Sequence, residues 1–410
     1  MRIAYLTQSY PPMISGAAFV VGRLAAAMAD RGHQVLVMAA SDRDHPYAVL
    51  HRYITVLRLR SLHNPFRVGQ RVLLYPRREI MKALHDFHPE IIHVHEPAQT
   101  AWLGIEYARR RHIPLTLTIH QLPGFVSSYL SNSFGIYTES VLWMYVRWLL
   151  RNFTSLVTPT QSTSSLVTRM TGLHANTISN GIDLGTFHPR LSRDAGTATR
   201  QKWNLPLRVP LLLHLGRLDT DKRVDRVIQA AARTMGKTEA HLLIVGDGVK
   251  KPALIRLCKS LGISDRVHFT GYVSQEDGLA EIYRTADLFV TASEIETQGI
   301  VLLEAAASGL PMVAVRATCI PEIVRDGVNG YLAEPGDLNG LSNAMSLLFG
   351  DPHQARFMGQ ASRTLAENHD IRFTFDAHEQ LYHHLVQQVQ VQRVKAGAGF
   401  RRHEWTNFSE

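Results

Sequence analysis

The chain has 410 residues, 45% hydrophobic and 19% charged, which excludes a disordered chain and suits two domains of about 200 residues each. Two cysteines, Cys258 and Cys319, exclude a disulfide framework, and no run of about 18 apolar residues is present to cross a membrane. The net charge of +9 is one-sided: residues 1–190 hold 19 Lys+Arg against 10 Asp+Glu, giving +9, and residues 191–410 hold 25 against 25, giving zero. A membrane, a nucleic acid or an acidic polymer is therefore expected to meet the N-terminal half alone.

In chain order, RIAYLT (2–7) reads as a strand and AAFVVGRLAAAMADRG as an amphipathic helix closing on Gly32. The opening MRIAYLTQSYPP has no basic segment followed by a long apolar one, so a signal peptide is not expected. QVLVMAA (34–40), EIIHVHE (90–96), LTLTIH (115–120), SLVTPT (155–160) and HANTISNGID (174–183) follow, with TAWLGIEYARRRH as a helix between two of them. Strands so continuously apolar are covered on both faces, and their alternation with helices predicts a doubly wound parallel sheet. Pro, Gly and scattered charge at 184–208 break the pattern and mark a linker. A second series begins at PLLLHLG (210–216) and runs through AHLLIVGDG, VHFTGYV, LFVTAS, GIVLLEAAASG and PMVAV. The expected organisation is an N-terminal domain over 1–190, a linker over 191–208, a second domain over 209–375, a helix at 376–390 packing back on the first domain, and a mobile tail over 391–410.

In an open parallel sheet ligands bind beyond the carboxyl ends of the strands, so the residues after each strand carry the functional reading. Gly216-Arg217 and Lys222 follow LLLHL; two cations there suit a diphosphate, or form an ordinary basic loop. Gly246-Asp247-Gly248 follows HLLIV as a tight turn suited to close backbone approach. No GxGxxG opening and no GxxxxGK[ST] loop is present, which argues against a dinucleotide dehydrogenase and a P-loop NTPase. After LFVTAS, Glu296 and Glu304 flank a helix opened by Gly299. Ile300 to Leu303 and Ala305 to Ala307 are apolar all round, so the helix is buried, and a buried glutamate needs a partner. Backbone N–H groups at that helix start, around Thr297, Gln298, Gly299 and Ile300, would face a phosphate or sugar oxygen; surface glutamates on an amphipathic helix are the alternative. His93 and His95 share a strand face and mimic a metal pair, but no third ligand is evident.

Glu296-x7-Glu304, followed by Ala-Ser-Gly-Leu-Pro at 307–311, resembles the signature of retaining glycosyltransferases with the GT-B fold, family 4. GDG at 246–248, GYV at 271–273, NGYL at 329–332 and NGID at 180–183 match as well, so the resemblance covers nearly the whole chain. It implies two Rossmann-like, doubly wound parallel-sheet domains facing across a cleft. It further implies that Arg217 and Lys222 hold the donor diphosphate, that Gly16, Gly246, Val273 and the Thr297–Ile300 backbone line the donor, that Glu304 binds the ribose, and that His120 and Glu296 position the sugar. No metal or cofactor is implied, because the two cations neutralise the leaving diphosphate. The acceptor hydroxyl would attack on the leaving-group face, with the phosphate oxygen as its base. At Pro11-Pro12-Met13-Ile14-Ser15-Gly16-Ala17 the chain has alanine where the family has the second of two glycines, so the phosphate approach rests on Gly16.

Residues 51–82 hold eight Lys+Arg and one Glu, with Tyr53, Leu57, Leu62, Phe66, Val72, Leu73, Leu74 and Tyr75 interleaved. Arg58, Arg60, Arg67, Arg71, Arg77 and Arg78 are thus expected to face an anionic lipid surface or the acceptor, with RRRH at 109–112 and VLWMYVRWLLR at 141–151 extending the theme. An ordinary basic face plus a buried helix is the alternative; no nucleic-acid reading module is present. Glu-Thr-Gln-Gly at 296–299 resembles the version in diacylglycerol glucosyltransferases of this family. UDP-glucose is accordingly the expected donor, a membrane lipid the expected acceptor, and the inner face of the cell membrane, from the cytoplasm, the expected place. A soluble enzyme acting on a saccharide or small metabolite, and a non-catalytic nucleotide-sugar binder, remain the alternatives.

Overall fold

The computed structural model describes residues 1–64, 71–124, 132–189 and 196–403. Two sheets organise it. The N-terminal sheet is built from β1 (Arg2–Leu6), β2 (Gln34–Ala40), β3 (Tyr47–His51), β4 (Ile54–Leu59), β7 (Ile91–Val94), β8 (Leu115–Thr118), β9 (Ser155–Thr158) and β10 (Asn176–Thr177), in the order β10-β9-β8-β7-β1-β2-β4-β3. Every pairing in it is parallel except β3 against β4. Its helices are α1 (Gly16–Asp30), α2 (Arg77–Phe87), α3 (Gln99–Arg111), α4 (Asn132–Leu150) and α5 (Gln161–Thr171). A separate two-stranded ribbon, β5 (Ser61–His63) with β6 (Arg71–Leu73), leads into α2. The antiparallel β3 and the ribbon lie in and beside the basic segment, which the apolar pattern did not resolve into strands.

The short helix α6 (Thr197–Lys202) introduces the second unit, whose sheet is β11 (Leu211–Leu215), β12 (His241–Val245), β13 (Val267–Gly271), β14 (Leu288–Val290), β15 (Met312–Val315) and β16 (Gly330–Ala333), all parallel in the order β13-β12-β11-β14-β15-β16. Around it run α7 (Val224–Met235), α8 (Lys251–Ser260), α9 (Leu279–Thr285), α10 (Ile300–Ala307), α11 (Ile320–Ile323), α12 (Leu338–Gly350) and α13 (Pro352–Glu367). One apolar cluster fills this unit, and Leu205 and Trp203 join it. The second half of the expected linker is therefore part of the C-terminal unit, anchored by Arg200, which donates to the carbonyls of Pro206 (2.7 Å) and Val209 (2.9 Å).

The last helix, α14 (Ile371–His403), crosses back to the N-terminal unit and continues past residue 390 to His403. Tyr382 and Leu385 pack into the same cluster as Ile3, Tyr5 and Leu24. Tyr382 Oη lies 2.6 Å from His93 Nδ1, and Arg31 forms ion pairs with Asp376 and Glu379 of the helix. The crossing is tight: a Cβ on Gly181 would stand 2.7 Å from Ile371 Cα, and its φ of +71° is one that only glycine takes without strain.

Candidate active site

In each sheet the first strand has later strands on both sides: β1 lies between β2 and β7, and β11 between β12 and β14. A crevice opens at such a reversal, beyond the carboxyl ends of the strands. The segments lining it are residues 7–16 and 95–98 in one unit, and 216–223 and 291–299 in the other. Gly16, Arg217, Lys222 and Glu296 to Gly299 all fall in these segments, with Ile300 at the first helical turn beyond. The two helix starts adjoin across the cleft, since a Cβ at Gly16 would stand 3.4 Å from Ile300 Cδ1. Ser15 caps α1 by accepting from Ala18 N at 3.1 Å. Two N-terminal dipole ends thus meet, which favours an anion between them.

The cations of this cleft already have carboxylate partners. Arg217 pairs with Asp219 and, at 3.0 Å, with Asp221. Lys222 Nζ lies 2.5 Å from Glu296 Oε1 and 3.7 Å from Asp221 Oδ2. Neither cation is bare: each is already neutralised within the cleft.

The buried helix forecast around Glu304 is present, and its carboxylate has the partner that burial demands. Tyr283 Oη donates to Glu304 Oε2 at 2.7 Å. Burial raises the Glu304 carboxyl from its ordinary 4.5 to about 7, against the lowering effect of that hydrogen bond.

His120 and the loop of Glu296 are brought together through Thr297. Thr297 Oγ1 donates to the His120 carbonyl at 3.1 Å, while its own carbonyl accepts from Thr160 Oγ1 (2.8 Å) and Thr163 Oγ1 (3.0 Å). Thr160 also caps α5 by accepting from Thr163 N, and Glu322 accepts from the next two backbone groups, Gln161 N and Ser162 N. Gln298 is committed to the same bracket: its Oε1 accepts from Asn180 N at 2.8 Å and its Nε2 donates to Ser179 Oγ at 2.6 Å. Only its backbone is left for a ligand.

Several expected positions turn out differently. A Cβ on Gly246 would lie 1.9 Å from the Gly216 carbonyl oxygen, so glycine is required there by the neighbouring strand end. The Val273 side chain belongs to the apolar core at 3% exposure, which leaves only its backbone for a ligand. Arg58 and Arg71 face inward, at 4% and 5% exposure, and cannot meet a membrane. Arg58 holds the carbonyls of Ala40 (3.2 Å) and Pro11 and thereby fixes the loop before α1; Arg71 binds Ser61, His63 and Asp44. Arg77 pairs with Glu106 on the surface. Arg60 and Arg78 are exposed, whereas Arg67 and Phe66 lie outside the described residues. Leu73 is core. His93 is no metal ligand in waiting, because Tyr382 Oη and Thr118 Oγ1 occupy both its nitrogens.

The residues missed by sequence reasoning are the polar brackets: Thr160, Thr163, Ser179 and Tyr283. Their partners are 21 to 137 positions away, beyond the reach of any local pattern. His95 was visible, and its alternation with His93 gave the right strand face but not its partner.

Residues 14–186 match the family described as Glycosyltransferase Family 4, and residues 197–365 the family described as Glycosyl transferases group 1. The chain is similar to N-acetyl-alpha-D-glucosaminyl L-malate synthase of Bacillus anthracis, 29% identical over 369 residues covering 86% of this chain and 89% of that protein. It is also similar to alpha-monoglucosyldiacylglycerol synthase of Streptococcus pneumoniae, 28% identical over 339 residues covering 81% and 75%. Among solved structures, Anabaena HepE in complex with UDP-glucose matches with a TM-score of 0.74 at 20% identity, covering 96% of this chain and all of that one at 100%. The shared architecture is the GT-B fold.

Proposed function

The chain belongs to the group 1 glycosyl transferases, with a glycosyltransferase family 4 N-terminal region, and from that premise we propose that it transfers glucose from UDP-glucose, with retention, to the hydroxyl of a membrane lipid such as diacylglycerol. The observation that carries the donor half is the meeting of two helix N-termini, at Gly16 and Ile300, beside Arg217 and Lys222. Such a site suits a diphosphate. On donor entry the Lys222 ammonium turns from Glu296 to the diphosphate, and Glu296 is released to accept from sugar hydroxyls. Glu304 accepts from the ribose. The C1–O bond to phosphate breaks and the acceptor oxygen bonds to C1 on the same face. The acceptor proton passes to the departing phosphate oxygen. Arg217, Lys222 and the helix ends carry the developing charge, so the reading requires no metal.

The lipid half rests on α4. Val141, Met144 and Trp148 recur at one face of that helix and are 58%, 65% and 54% exposed, while Trp143, Val146 and Leu149 of the opposite face are core. Arg147 and Arg151 flank the stripe, and Arg60, Arg78, Leu62, Leu74 and Tyr75 add exposed basic and apolar groups on the same unit. An apolar stripe edged by arginines suits the surface of an anionic bilayer. Among the described residues no helix is long and apolar enough to cross one, so attachment is peripheral in this reading. The pneumococcal relative's name, which carries a glucosylated diacylglycerol, agrees. The Bacillus relative's name carries L-malate and supports the second reading, a small soluble acceptor.

The test is incubation with radiolabelled UDP-glucose in the presence of diacylglycerol-containing anionic vesicles or a panel of soluble acceptors. Label in the organic phase supports the lipid reading; label confined to a soluble product overturns it.

A further inference from the structure

His120 Nε2 lies 3.0 Å from His95 Nδ1, and the two rings are 17° from parallel. In the parallel pairing of β7 with β8 Val94 stands opposite Leu117, so His95 comes one residue past the end of β7 and His120 two residues past the end of its neighbour β8. Among the described residues this is the only protein hydrogen bond of the His120 ring, which is partly exposed beside Thr297. His95 is fully enclosed, and its Nε2 is buried with no hydrogen-bond partner. The adjacent His93 cannot supply one, since its nitrogens are engaged by Tyr382 and Thr118.

Burial lowers His120 to about 4 and His95 well below its ordinary value, so both rings are neutral at pH 7 and each carries one N–H. Two proton placements satisfy the shared contact. If His120 donated from Nε2, His95 would be left with an N–H at Nε2 that is buried and unpartnered, and orphaned buried N–H groups are rare. If His95 donates from Nδ1, its buried Nε2 is only a bare lone pair, and the His120 proton resides on Nδ1.

We propose that His95 is a positioning residue for the transfer reaction: by donating from Nδ1 to His120 Nε2 it fixes His120 as the Nδ1–H tautomer, with a neutral hydrogen-bond donor available to a hydroxyl oxygen of the donor sugar. This rests on the reading of the cleft as a donor-sugar site. A neutral donor suits that place, because an imidazolium would repel the positive charge that develops on the sugar ring as the C1–O bond breaks.

The experiment is nitrogen NMR of full-length protein labelled with ¹⁵N-histidine at pH 7, with His120 assigned by its loss in His120→Gln. The expected spectrum shows a protonated Nδ1 and a pyridine-type Nε2 on His120; the reverse pattern overturns the proposal. Turnover supplies the second arm. His95→Asn keeps an amide N–H near the position of Nδ1, whereas His95→Asp, assayed at a pH where it is ionised, only accepts and draws the His120 proton onto Nε2. A fall in kcat of about 10- to 100-fold, the scale of groups that orient a ligand from behind, is expected for His95→Asp, with most activity retained in His95→Asn. Equal rates in the two folded variants overturn the proposal. Wild-type inactivity with every nucleotide-sugar would sink the donor-sugar reading, and the nitrogen spectrum would still decide the tautomer.

Discussion

The ammonium of Lys222 and the carboxylate of Glu296 are each other's counter-ion, 2.5 Å apart and mostly shielded from water, with side-chain exposures of 17% and 15%. The pair joins the loop after β11 to the loop after β14 across the reversal of the C-terminal sheet. In the proposed reaction diphosphate and Glu296 compete for this one cation.

Opposite effects on binding and turnover are therefore predicted for Glu296→Ala. UDP affinity, measured by calorimetry, should rise a few-fold, about 1 kcal/mol, because Lys222 no longer has to leave a partner. Transfer should fall, because the sugar loses its acceptor group. Lys222→Ala should lower both, with kcat reduced on the order of 100- to 1,000-fold, the scale for removing one preorganised charge-stabilising donor. A Glu296→Ala variant that binds UDP more weakly than wild type contradicts the exchange.

Donor affinity should depend on pH through Glu304. Its carboxyl titrates at about 7 in the unliganded protein because it is buried. In the proposed donor site ribose hydroxyls donate to the ionised form, so binding would draw the proton off. UDP affinity should rise with pH up to about 7 and level above it, with a slope of at most about tenfold per pH unit below. Glu304→Gln should flatten the profile; an unchanged slope in that variant would assign it to another group.

Fold stability should fall on acidification. His93, His95, His120, His214 and His378 are held below their ordinary 6.5, chiefly by burial, with His120 and His214 at about 4 and His378 at about 3. A depressed histidine contributes stability that is present above 6.5 and lost as pH falls toward its folded value. Glu96 and Glu304, raised from 4.5 to about 7, act the other way: their contribution is present below 4.5 and lost as pH rises through 7. Five histidines outweigh two carboxyls, so the unfolding midpoint in urea should drop between pH 7.5 and 5.5. Tyr382→Phe, which removes the hydroxyl at His93 Nδ1 (2.6 Å), should cost a further 1–2 kcal/mol or so at pH 7.5.

Much of this was legible in the sequence, for local reasons. The strand QVLVMAA is a continuous apolar run and is β2 residue for residue. The helix after Gly299 is apolar all round and is buried, and its Glu304 has a partner. Failures came where a side chain acts over distance. Arg58 and Arg71 read as surface charge because nothing near them in sequence reveals Pro11, Ala40, Ser61 and Asp44 as acceptors. Trp148 and Trp143 are both aromatic in one helix, and only the packing of Trp143, with Val146 and Leu149, into the core of the N-terminal unit decides which face is left outside.

Membrane attachment should follow that face. The double variant Val141→Ser with Met144→Ser should weaken binding to anionic vesicles at least about tenfold, by loss of buried apolar area, and leave the unfolding midpoint nearly unchanged because both side chains are exposed. Raising salt should weaken wild-type binding further. Co-sedimentation that ignores the variant, the salt and the anionic lipid content would separate α4 from any lipid role.

Retaining transfer from a nucleotide-sugar at the cleft of Lys222 and Glu296 is the proposed reaction. Its most direct measurement is proton NMR of the product formed from UDP-α-glucose and diacylglycerol vesicles, with wild type and Lys222→Ala side by side. An α-linked glucosyl product is expected from wild type and almost none from the variant. A β-linked product, or equal product from both proteins, would contradict that reaction.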